Sequence, residues 1–98
     1  MRIHVVQSGG LAGLRREHEL DTDALPEEAR QSLTDLVQGV AFFGLASGRV
    51  SKLPDMIQYR VRIEEGDRAH EVTFDDACSD TSLLELVERV TELAKAQR

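Results

Sequence analysis

An α+β fold of order ββαββα is predicted for this 98-residue chain, with a four-stranded antiparallel sheet carrying two amphipathic helices on one face. Three observations lead there. Two segments repeat apolar residues at a helical period, four segments alternate apolar and polar residues at the period of a strand, and the length suits one two-layer core.

The first strand starts with Ile3 and Val5 alternating with Arg2 and His4. After the glycine-rich stretch SGGLAG, a second strand turns Leu14, Arg16, His18 and Leu20 inward, one of them a charge. Helix one follows in PEEARQSLTDLVQGVA, where Ala29, Leu33, Leu36, Val37 and Val40 share a face. Pro26 suits the first helical position, and Glu27 and Glu28 complement the positive end of the helix dipole.

The third strand sets Ile57, Tyr59, Val61 and Ile63 against Gln58, Arg60, Arg62 and Glu64. EEGDR supplies a tight turn at Gly66, and His70, Val72 and Phe74 then alternate with Glu71, Thr73 and Asp75 to complete a hairpin. Helix two is read from SLLELVERVTELAKAQ, whose stripe is Leu83, Leu86, Val87, Val90, Leu93 and Ala94. Ser82 and Glu85 stand at capping-box spacing, and Lys95 and Arg98 carry the favourable sign for the other terminus. His18-Glu19 and His70-Glu71 occupy like places in the two halves.

This order has a topological consequence. If each helix returns along the strands, residues 8–13, 42–55 and 76–81 gather at one end of a single domain spanning 1–98. The connection after helix one is long, and long connections often carry function.

Composition limits the chemistry. With 18 acidic and 12 basic side chains the formal charge is -6, there is no tryptophan and only one tyrosine, and no basic face stands out, so nucleic acid is not an expected partner. No segment is apolar for long enough to span a membrane or form the core of a cleavable leader, and the expected location is the cytoplasm. Cys78, the single cysteine, can form no internal disulfide, and the neighbouring aspartates of DDACSD oppose a reactive thiolate. His4, His18 and His70 lack metal-ligand spacing, and His70 is expected on the core face, satisfied by a neighbour. No catalytic constellation, metal site or cofactor site is read, and the chain is not expected to be an enzyme.

Two features suit a protein partner. In Gly9, Gly10, Leu11, Ala12 and Gly13, the glycines suit either a hairpin loop with positive φ or a close approach to a partner in which Leu11 is an apolar anchor. Of Phe42 and Phe43, one caps the core and the other is a candidate exposed group beside Leu45 and Leu53.

GGLAGLRR at 9–16, DTDALP at 21–26, AFF at 41–43 and PDMIQYRVRIEEGDRAHEV at 54–72, in this order, resemble the emfourin family, small protein inhibitors of thermolysin-like zinc metalloproteases such as protealysin. Family members commonly carry phenylalanine where Leu11 stands and a proline near Asp80 and Thr81, differences that bear on fine specificity. The resemblance implies a bacterial, non-enzymatic inhibitor, monomeric when free, that fills the protease cleft. Gly9, Gly10, Leu11, Ala12, Gly13, Phe43 and Leu53 are its candidate contacts. The alternative is an intracellular interaction or regulatory module that uses the same surface without a protease target.

Overall fold

The computed structural model describes residues 1–9, 13–45, 48–49, 57–75 and 81–96. Its elements are β1 (Arg2–Gly9), β2 (Leu14–Asp21), α1 (Glu27–Gly39), β3 (Gly48–Arg49), β4 (Ile57–Glu65), β5 (Arg68–Asp75) and α2 (Thr81–Ala96). Short 3-10 turns occupy Thr22–Ala24 and Phe42–Gly44.

The four long strands form the expected antiparallel sheet, in the order β2-β1-β4-β5. Its register lines up core residues in rows across the strands. Leu20, Ile3, Ile63 and His70 make one row, and His18, Val5, Val61 and Val72 the next. His18 and His70 thus hold like positions on the two outer strands, each opposite a core residue of its inner neighbour. Leu33 and Val37 of α1, with Leu83, Leu86, Val87 and Val90 of α2, close the core over this face. Arg16, the inward charge of β2, stays exposed, as the helix-facing side of an outer strand permits.

A short strand absent from the sequence reading joins the far edge, where Gly48 and Arg49 pair in parallel with Thr73 and Phe74 of β5. Both helix starts also differ, α1 by one residue and α2 by two. Pro26, at φ -56 and ψ 154, caps α1 from outside, and its carbonyl accepts the Arg30 N–H at 3.0 Å. Ser82 falls inside the first turn of α2, which starts at Thr81, two residues too late for the capping box.

The path of α1 corrects the topological expectation. Thr22 N–H donates to the Met1 carbonyl at 2.9 Å, so the chain turns into α1 at the end of the sheet where β1 begins. Beyond the helix, Phe42 meets His70 edge-on with ring centroids 5.5 Å apart, and the Arg68 guanidinium lies over Phe43. Both strand residues belong to the start of β5, at that same end. Helix α1 therefore runs across the strands instead of climbing along them, and its 13 residues are long enough, at about 20 Å, to pass from the β2 side to the β5 side. Residues 42–45 stay by the β4–β5 hairpin, and the chain regains the opposite end only through β3.

Candidate functional site

The end of the sheet away from the hairpin is organised by Gly9. Its backbone has φ 102, which disfavours any L side chain, and its Cα faces Leu14 on one side and Ile57 on the other. The turn from β1 to β2 therefore springs from the middle of the sheet, on a strand paired along both edges. Gly13 closes the turn at φ 64, and a Cβ built there would meet nothing within 4 Å. Its dihedral favours glycine while the space around it is open. Gly10, Leu11 and Ala12 lie outside the described residues, as does Leu53.

Other chain ends converge on Gly9 and Gly13. Ile57 opens β4 and Asp75, fully buried, closes β5. The connections over 10–12, 50–56 and 76–80 all leave from this end. Of the three segments expected to gather here, those at 8–13 and 76–81 and the later part of 42–55 have their described neighbours at this end.

Phe43 is a correction to that grouping. It lies at the hairpin end, with the Arg68 guanidinium carbon 4.0 Å from its ring centroid and the Phe42 ring edge-on at 5.7 Å. Arg68 is itself held by Glu65 at 2.6 Å. Half-buried and covered on one face by a guanidinium, Phe43 serves the junction between α1 and the hairpin. Its partner Phe42 is the core cap, at 1% exposure. His70 rests on the core face as expected, its Nε2 2.7 Å from the Leu45 carbonyl.

The pairing of charges between strands escaped the sequence reading. On the face without helices, basic side chains of β1 lie beside acidic side chains of β2, and the row of Asp21, Arg2 and Glu64 alternates in sign as far as β4. His4 Nε2 lies 2.6 Å from a Glu17 carboxylate oxygen, while Arg2 approaches Glu19 at 3.5 Å and Arg15 approaches Glu17 at 3.6 Å. The hydrogen bond from His4, then its charge, and less strongly the charge of Arg15, hold the Glu17 carboxyl below its ordinary value. The opposite charges at period two in the first two strands were the available signal, but their register was needed to pair them.

Among the described residues no group of three or more His, Cys, Asp or Glu side chains is placed to hold a metal, and no helix is long and apolar enough to cross a membrane. At this end the described residues set Gly9, paired on both sides of β1, beside Gly13, each at positive φ. Comparison with protein families finds the Emfourin family matching residues 5–91. Neither the curated proteins nor the solved structures yield a match.

Proposed function

From the premise that the chain belongs to the Emfourin family, a family of protease inhibitors, we propose that its target is a thermolysin-like zinc metalloprotease and that the β1–β2 glycine turn enters the protease cleft. The observation that carries this reading is the anchoring of Gly9 between Leu14 and Ile57. Gly9, from which the turn starts, is held between two neighbouring strands, and a fixed base of that kind lowers the entropic cost of an inhibitory contact. Leu11 is the apolar plug, and Leu53, in the connection that ends at Ile57 opposite Gly9, is a second contact. Phe43, at the hairpin end, is outside this contact.

The experiment is a titration of a thermolysin-like protease with the purified protein, followed with a small peptide substrate. Loss of activity that ends at one equivalent of protein supports the reading. Full activity at excess protein, across several such proteases, favours the regulatory-module alternative.

A further inference from the structure

Resting on that reading, we propose that the outer edge of β2 is the second half of the inhibitory surface, where an extended segment of the protease with basic side chains adds as a further strand. In the sheet β2 is terminal, and among the described residues no strand pairs with its outer side. Eight residues of open edge is a long run of unpaired backbone.

Which groups point outward follows from one hydrogen bond. Thr22 N–H reaches the Met1 carbonyl, and in an antiparallel ladder bonded pairs alternate with non-bonded ones. Continuing the register from that pair, Leu20, His18, Arg16 and Leu14 bond inward to β1. Arg15, Glu17, Glu19 and Asp21 then present their N–H and C=O groups to the outside. The side chains of these four stand on the face without helices, all exposed, and three of them are acidic. The edge also begins beside Gly13, so a partner seated on the glycine turn meets it directly.

Charge selects the occupant. Pairing with a second copy of β2 mixes like and opposite charges: the antiparallel register that sets Glu17 on Glu17 also sets Arg15 on Glu19, and the one that sets Arg16 on Arg16 also sets Arg15 on Glu17. An incoming strand with lysine or arginine opposite Glu17, Glu19 and Asp21 meets an opposite charge at all three positions, and so is favoured over a copy, which meets a like charge at one or more positions in each register.

The test compares Glu17→Pro with Glu17→Ala against a thermolysin-like protease that the wild-type chain inhibits. Both variants lose the carboxylate, but only proline removes the outward N–H, and an outward N–H can be lost without breaking the ladder to β1. The expected result is inhibition about tenfold weaker for the proline variant than for the alanine variant, at comparable melting temperature. Equal inhibition constants overturn the edge and leave the inhibitor reading standing, whereas a wild-type chain that inhibits no such protease overturns both. If the proline variant fails to fold, amide hydrogen exchange of the wild type decides: Arg15, Glu17, Glu19 and Asp21 exchange fast in the free chain and must slow in the complex. Unchanged exchange there, or wild-type dimerisation through β2 in sedimentation, contradicts the proposal.

Discussion

Arg68 covers the ring of Phe43, its guanidinium carbon 4.0 Å from the ring centroid, and so joins the β4–β5 hairpin to the turn that follows α1. The contact gives Phe43 a structural role. Replacing it with alanine is expected to cost about 1.5–2.5 kcal/mol in chemical denaturation, less than a fully buried phenylalanine, while Arg68→Ala costs about 0.5–1 kcal/mol. Because this end lies opposite the glycine turn, neither change should weaken inhibition by more than about twofold.

Helix α1 places its glycine two residues away from where its backbone needs one. Ala41 takes φ 50 and ψ 50 just past the helix, a conformation that disfavours a Cβ, while Gly39 sits inside the last turn with open space around it. Ala41→Gly and Gly39→Ala should each stabilise the fold by about 0.5–1 kcal/mol. Thermal melts of the two single variants and the double variant check both the sign and the additivity.

The Leu45 carbonyl can only accept, so neutral His70 carries its proton on Nε2, and nitrogen chemical shifts should report that tautomer. His70→Ala leaves the carbonyl without this donor and removes the ring that Phe42 meets edge-on, at an expected cost of about 2–3 kcal/mol.

A carbon-detected titration should place the Glu17 midpoint below that of an ordinary glutamate, and His4→Ala should raise it. Since the folded carboxyl is the more acidic, its contribution to stability is complete above the unfolded midpoint of about 4.3 and is lost as pH falls through the folded one. The stability difference between wild type and Glu17→Gln should therefore shrink over that acidic interval. A difference that grows on acidification would contradict the assignment.

How much of this was legible in the sequence depends on what periodicity encodes. Alternation identified β4 and β5 with their faces because Val61, Ile63, Val72 and Phe74 are all fully buried on one side. The stripe Ala29, Leu33, Val37 likewise identified the buried face of α1, but a stripe carries no information about the heading of a helix across a sheet. That missing quantity put Phe43 at the wrong end. The two-residue strand β3 is too short to show any period, and its pairing is tertiary. At the candidate site the glycines were legible as positions needing positive φ, which Gly9 and Gly13 adopt. The outward groups of β2 were not, because they follow from the ladder register.

The most direct test of the account is the inhibition constant of three proteins against one thermolysin-like protease: wild type, Leu11→Asp and Phe43→Ala. The account predicts stoichiometric inhibition by the wild type, weakening of about thirtyfold or more for Leu11→Asp, and near wild-type inhibition for Phe43→Ala. Full inhibition by Leu11→Asp together with loss in Phe43→Ala, with both variants folded, would contradict it and move the inhibitory surface to the hairpin end.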